Sequence, residues 1–329
     1  MNKEQGRPVD RVSLVEMGPR DGLQNELHIL PLAQRLELIA RLAESGLQRI
    51  EVGAFVSPKR VPQMADSGAL LAALPRRAEP GHQRVRYGAL VPNLQGLKAA
   101  ISAQVDEIGL FTACSDGFTR ANIGIGVEES LVRFAPLVAE ARSLGIRVRG
   151  YLSTVIACPY EGPTRPKRVA ALAERLLDLG CHEISLGDTI GVGTPGTVAP
   201  MLDAVLHEVP AGRLAVHFHD TYGQGLANLL PALERGIRTI DCSVAGLGGC
   251  PYAPGASGNV ASEEVVYLLH GLGMSTGVNL DTLAATGQWV SEQLGRANGS
   301  RVGQALHAKA LARQRTTKDE IPQGACHGP

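Results

Sequence analysis

Arg168-Val-Ala-Ala-Leu-Ala-Glu-Arg-Leu-Leu-Asp-Leu-Gly180-Cys-His-Glu-Ile-Ser-Leu-Gly-Asp188 changes its period part-way along. From Arg168 to Leu179 the apolar residues Val169, Leu172, Leu176 and Leu179 recur three and four apart, which lays one stripe along a helix. Gly180 is the usual residue to end such a helix. Glu183–Asp188 is then a short β-rich run that ends on small and charged residues.

The same alternation runs through most of the chain. Strand-like runs fall at Val12–Met17, Arg49–Ala54, Arg86–Val91, Glu107–Thr112, Arg147–Thr154, Glu183–Asp188, Leu214–His219 and Thr239–Ala245. Helical periodicity appears between them, as in Leu32–Glu44, Val127–Leu144 and Gly223–Arg235, and Gly46, Gly145 and Gly236 repeat the glycine stop. Eight such units in series predict an α/β fold, a (β/α)8 TIM barrel over residues 1–275. An open doubly wound sheet is the competing architecture. It calls for a phosphate-binding glycine motif in its first turn, and Gly18-Pro-Arg-Asp-Gly-Leu-Gln-Asn25 is not one. Asn279–Leu294 and Arg301–Ala312 read as a C-terminal helical appendix packed on the barrel (276–314), and the polar stretch 315–329 is expected to fray.

Composition narrows the function. With 44% hydrophobic residues a large core is feasible, and 32 basic residues balanced by 32 acidic ones provide no field for nucleic acid. No apolar run approaches the ~20 residues that span a bilayer, so no membrane role is expected. Six cysteines are too sparse for a secreted disulfide scaffold, and the cytoplasm is the expected compartment.

In such barrels catalytic residues gather at the C-terminal ends of the strands. Those ends carry Glu16, Arg20 and Asp21; Glu51; Asp188; His217 and His219; and the run Gly246–Asn259, with five glycines and two prolines. His217 and His219 stand two apart on a strand, so both face one side. The bland alternative, one imidazole packed and the other hydrogen-bonded, competes with a metal clamp. Arg20 and Asp21 likewise suit a plain solvated turn, and Glu51 and Asp188 could simply bind backbone amides. Barrel closure favours the metal: Asp21 follows strand 1, the histidines end strand 7 and Asn259 follows strand 8, which closes between them. Two imidazoles, a carboxylate and an amide oxygen suit octahedral Mg²⁺ or Mn²⁺. Cys250 could join such a set, which leaves zinc open.

Longer motifs point further. Gly18-Pro-Arg-Asp-Gly-Leu-Gln-Asn-Glu26, Phe55-Val-Ser-Pro-Lys59, Val61-Pro-Gln-Met64, Ser185-Leu-Gly-Asp-Thr-Ile-Gly-Val-Gly-Thr-Pro-Gly196, His217-Phe-His-Asp-Thr-Tyr-Gly-Gln224 and Ser243-Val-Ala-Gly-Leu-Gly-Gly-Cys-Pro-Tyr252 resemble the motifs of the 3-hydroxy-3-methylglutaryl-CoA lyase family, over roughly residues 10–300. Isopropylmalate synthase, homocitrate synthase and 4-hydroxy-2-oxoacid aldolases are similar in barrel and Arg-Asp pair, but the cysteine loop resembles only the lyases.

The resemblance implies a lyase that cleaves an acyl-CoA substrate with Mg²⁺ or Mn²⁺, in leucine degradation and ketone-body metabolism, and works as a homodimer. It implies Asp21, His217, His219 and Asn259 as metal ligands, with Asp21 or a histidine as base. Arg20 would face the thioester carbonyl beside Gln24, Glu51 and Asp188 would be inner-site carboxylates, and Cys250 the catalytic loop cysteine. Citramalyl-CoA or a longer branched analogue is the alternative substrate, and a condensing acyltransferase or aldolase the alternative activity. The chain departs from the family pattern at Leu27, Ala54 and Arg60, where lysine, serine and tryptophan are common.

Overall fold

The structure, a computed structural model, describes residues 10–75, 84–249 and 258–319, with side chains described up to 313. Eight strands close into a parallel barrel: β1 (Ser13–Glu16), β2 (Arg49–Ala54), β3 (Arg86–Leu90), β4 (Glu107–Ala113), β5 (Arg147–Ser153), β6 (Glu183–Asp188), β7 (Leu214–Phe218) and β8 (Thr239–Cys242). Closure pairs β1 with β8 in register, from Ser13 opposite Thr239 to Glu16 opposite Cys242. The helices are α1 (Leu32–Glu44), α2 (Ser67–Ala73), α3 (Leu94–Ser102), α4 (Asp116–Ile123), α5 (Val127–Ser143), α6 (Pro166–Asp178), α7 (Pro195–Glu208), α8 (Gly225–Glu234), α9 (Ser262–Gly271), α10 (Leu280–Leu294) and α11 (Arg301–Asp319). The expected (β/α)8 barrel is therefore the observed one.

Two layers of opposite character fill it. Even-numbered residues of β5 and β6, such as Val148, Leu152, Ile184 and Leu186, face outward and pack with Leu172, Leu176 and Val205 of the helices in the main apolar core. Odd-numbered residues face the barrel axis, and there charge replaces the branched apolar layers usual in this fold. Arg49, Glu107, Arg149, Glu183 and Asp241 are all buried and tied together by ion pairs, and buried Glu51 pairs with Arg20 beside them. Buried charges persist only when paired and hydrogen-bonded. Gly109 makes room for this layer, because a Cβ there would lie 2.4 Å from the Tyr151 ring.

Several element ends differ from expectation. β8 stops at Cys242 rather than Ala245, because Val244–Gly246 turns into a short 3₁₀ segment with Ala245 at φ 56°. β7 ends at Phe218; His219 lies one residue beyond and pairs antiparallel with Asn259 instead. α11 runs from Arg301 to Asp319 with no proline to interrupt it.

Candidate metal and catalytic centre

Gly18–Gly22 forms one π-helical turn, closed by Gly22 N donating to Met17 O at 3.1 Å. Such wide turns often occur at functional sites. This one sends Arg20 and Asp21 to the barrel mouth. On the far side of β8, His217 and His219 point their Nε2 atoms at each other, 3.3 Å apart. His217 Nε2 lies 3.9 Å from Asp21 Oδ2. The donor atoms of Asp21, His217 and His219 fall within 4.8 Å of one another. Asn259 joins them because residues 258–260 return along β7, with Val260 N donating to Phe218 O at 3.1 Å and Asp220 N to Gly258 O at 3.1 Å.

The donor set fits a divalent cation. Asn259 Nδ2 donates to Asp21 Oδ2 at 2.8 Å, while its buried Oδ1 has no hydrogen-bond partner. A buried amide oxygen left unpaired is costly. Its Nδ2 also donates to Leu247 O at 3.2 Å, which holds the side chain beside the other three donors. The protonation states agree. Burial works to raise the Asp21 carboxyl, but Arg20 and the two imidazoles outweigh it and hold it near 2. Burial, and then the neighbouring His217, push His219 down to about 4, so its imidazole is neutral at pH 7, the form a cation needs.

Arg20 links this cluster to the interior. Its Nε and Nη2 donate to Glu51 Oε2 at 2.9 and 2.7 Å, and its Nη1 donates to Asp21 Oδ1 at 2.5 Å. Burial raises the Glu51 carboxyl, and Arg20 pulls against that shift. The guanidinium also lies over the Tyr151 ring, 5.7 Å from its centroid.

The other expected residues are placed differently. Asp188 is fully buried, and its Oδ2 accepts from Gly193 N at 2.7 Å, which braces the loop between β6 and α7. It makes no hydrogen bond to the Asp21–His217–His219 cluster among the described residues. Gln24 is half-buried just past the turn, and its neighbour Asn25 donates to Gly249 O at 2.8 Å. Cys250 lies outside the described residues. Cys114, Cys158, Cys181 and Cys242 are buried free thiols.

Sequence reasoning missed the layer beneath this cluster. Asp241 Oδ2 lies 3.2 Å from His217 Nδ1, and Arg149 grips Asp241 with two hydrogen bonds, 2.9 and 2.6 Å. The available signal was period-2 parity: Arg149 and Asp241 stand at inward positions of β5 and β8, where apolar residues are expected.

Residues 11–290 match the HMGL-like family. The chain belongs to that family. It is 52% identical over 300 residues to the 3-hydroxy-3-isohexenylglutaryl-CoA/hydroxy-methylglutaryl-CoA lyase of Pseudomonas aeruginosa, covering 91% of this chain and 98% of that one. It is also 52% identical over 301 residues to the mitochondrial hydroxymethylglutaryl-CoA lyase of Arabidopsis thaliana. There the match covers 92% of this chain but spans only 63% of the plant protein's length. Among solved structures, a hydroxymethylglutaryl-CoA lyase from Pseudomonas aeruginosa superposes with a TM-score of 0.87 at 52% identity, over 92% of this chain and 99% of that chain. An HMG-CoA lyase from Acenitobacter baumannii, in complex with coenzyme A and 3-methylmalate, superposes with a TM-score of 0.85 at 34% identity, over 92% and 97%. This member of the HMGL-like family thus shares its barrel with C–C lyases along nearly its whole described length, and none of its described helices is long and apolar enough to cross a membrane.

Proposed function

We propose that this HMGL-like protein cleaves 3-hydroxy-3-methylglutaryl-CoA to acetyl-CoA and acetoacetate, with Mg²⁺ or Mn²⁺ held by Asp21, His217, His219 and Asn259. The observation that carries the reading is the convergence of Asp21, His217 and His219 within 4.8 Å, beside an Arg20 already salt-bridged to Asp21. When bound, the cation supplies a positive centre that acidifies the C3 hydroxyl and helps fix the substrate. The remaining chemistry belongs to side chains. Asp21 or an imidazole of the pair takes the hydroxyl proton. The C2–C3 bond then breaks, its electrons going to C2 as the enolate of acetyl-CoA, while C3 becomes the ketone of acetoacetate. Arg20, buried and oriented by Glu51, stabilises the enolate oxygen where charge develops. The Cys250 thiol returns a proton to C2. Asn25, hydrogen-bonded to Gly249 O, anchors the chain just before that cysteine. Gln24 lines the entry on the same segment, and Asp188 supports the mouth from its own loop.

The dual name of the Pseudomonas aeruginosa relative supports a second reading, in which a longer branched 3-hydroxyacyl-CoA is also cleaved. The homodimer implied by the family resemblance and the cytoplasmic location expected from the sparse cysteines belong to this proposal too, and light scattering tests the first. The deciding experiment incubates purified, EDTA-stripped protein with 3-hydroxy-3-methylglutaryl-CoA, its isohexenyl analogue and citramalyl-CoA, with and without Mg²⁺ or Mn²⁺. Metal-dependent release of acetoacetate is the expected result. Undiminished turnover after stripping sinks the metal centre, and turnover of citramalyl-CoA alone replaces the substrate.

A further inference from the structure

Directly beneath His217 the barrel holds a fully buried carboxylate with no obvious place in the reaction. Asp241 accepts from Arg149 Nη1 at 2.9 Å, Arg149 Nη2 at 2.6 Å and Ser185 Oγ at 2.7 Å, and its Oδ2 faces His217 Nδ1 at 3.2 Å. Arg149 is itself held rigidly. Its Nε donates to Glu183 Oε2 at 2.7 Å, and its guanidinium lies 5.2 Å from the centroid of the Tyr151 ring. Arginine has only donors, and two of them reach Asp241 from a planar fork that fixes where it sits.

That arrangement decides the tautomer of His217. With Arg149 donating to both of its oxygens, Asp241 is an acceptor toward everything around it. The hydrogen in the Asp241–His217 contact therefore sits on Nδ1. A neutral imidazole with its proton on Nδ1 keeps its lone pair on Nε2. Nε2 is the nitrogen that faces His219 Nε2 and Asp21 Oδ2. We propose that Arg149 and Asp241 are positioning residues for the metal centre: through His217 Nδ1 they fix the ring orientation and the tautomer that present Nε2 to the cation. The inference rests on the metal reading of the previous subsection. It differs from a plain packing role for the interior charges, because the rest of that network touches no ligand. Glu107, for example, binds Arg49 at 3.2 Å and makes no contact with Asp241.

In Asp241→Asn one acceptor becomes a donor. Whichever way the amide lies, its nitrogen opposes one of the two Arg149 nitrogens, so the fork that holds position 241 beneath His217 Nδ1 opens and the ring is no longer fixed. Loss of such a supporting partner typically weakens metal binding ~10–100-fold. The test titrates Mn²⁺ into protein whose circular dichroism shows it folded, and reads free Mn²⁺ by electron paramagnetic resonance. Asp241→Asn should bind ~10–100-fold more weakly, Arg149→Lys should fall between it and the wild type, and Glu107→Gln should lower Tm while leaving Mn²⁺ affinity unchanged. A measurement on the wild type covers the case of a variant that does not fold. With ¹⁵N-labelled histidine in the Mg²⁺-loaded protein at pH 8, His217 should carry its proton on Nδ1. A proton on Nε2, or Asp241→Asn binding Mn²⁺ as tightly as a binding-competent wild type, overturns this inference alone. Wild type that binds no Mn²⁺ overturns the metal reading and this inference with it.

Discussion

Arg20 makes ion pairs to Glu51 and Asp21 at once, and both partners are more than four-fifths buried. A guanidinium locked in this way cannot easily move toward a ground-state carbonyl, but it is already aligned for charge that appears later. Arg20→Gln should therefore lower kcat ~10²–10³-fold, the usual cost of one well-placed donor, with much less change in KM. Steady-state kinetics on the folded variant checks it, and a change confined to KM would make Arg20 a ground-state anchor. His219 is the most buried of the three clustered donors at 5% exposure. His219→Ala should cost metal affinity first, read by titration, and activity only as a consequence. For Cys250 the comparison is chemical. Serine nearly matches cysteine in size but is a far weaker acid, so Cys250→Ser should lose most turnover while keeping its metal. Near-wild-type kcat in a metal-replete sample would move the proton-donor role elsewhere.

At the scale of elements, the site depends on two pieces of backbone that are neither α-helix nor strand. One is the π-helical turn Gly18–Gly22. The other is the close approach of Gly248 and Gly258, which brackets Cys250 and delivers Asn259. A Cβ on Gly258 would lie 2.6 Å from the Gly248 carbonyl carbon and oxygen, which are backbone and cannot swing away. Gly258→Ala should thus push the two ends apart, shift Asn259 off Asp21 and lower metal affinity and turnover together. Gly212→Ala is the control, since nothing lies within 4 Å of its would-be Cβ. Equal kinetics and metal affinity in both variants would show that the approach is tolerant. The periodicity of the sequence located all eight strands and the last residues of β2 and β6, but missed the ends of the other six by one to three residues. A strand end is set by where inter-strand bonds stop, and β8 loses its partners once Ala245 takes a left-handed conformation held by Glu263, whose carboxylate accepts from Ala245 N at 3.1 and 3.0 Å.

For the whole molecule, closure creates buried carboxylates whose environments pull in opposite directions. Burial would raise Glu183, but Arg149 and Arg49 hold it near 2. Its contribution is present above the ordinary carboxylate range and is lost as pH falls toward 2. Glu16 is the reverse case. Burial pushes it up to about 7 against hydrogen bonds from Ser262, Val244 N and Gly18 N. Between about 4.5 and 7 the folded chain binds a proton that the unfolded chain has released, so Glu16 subtracts stability as pH rises through that window. Glu16→Gln removes that dependence. The Tm of the variant relative to the wild type should be more favourable at pH 8 than at pH 5. Thermal melts at the two pH values decide it, and an unchanged difference would mean that Glu16 titrates normally.

The amino-acid sequence by itself determined the alternation of helix and strand, the count of eight, and the chemistry available at the strand ends. These follow from local causes: a 3.6-residue or 2-residue period, a glycine where a helix must stop, and motifs carried in short contiguous runs. It also placed Asp21, His217, His219 and Asn259 on neighbouring strands, because the order of strands around a closed barrel follows chain order. The tertiary structure alone decided which charges meet inside. Arg149 and Asp241 are 92 positions apart, and Asp21 and Asn259 are 238 apart. Their contacts depend on the pairing of β1 with β8, on the parity that turns each residue to the axis, and on the room that Gly109 leaves for Tyr151. No local period encodes such distances. They are set by closure of the sheet and by the need of every buried charge for a partner.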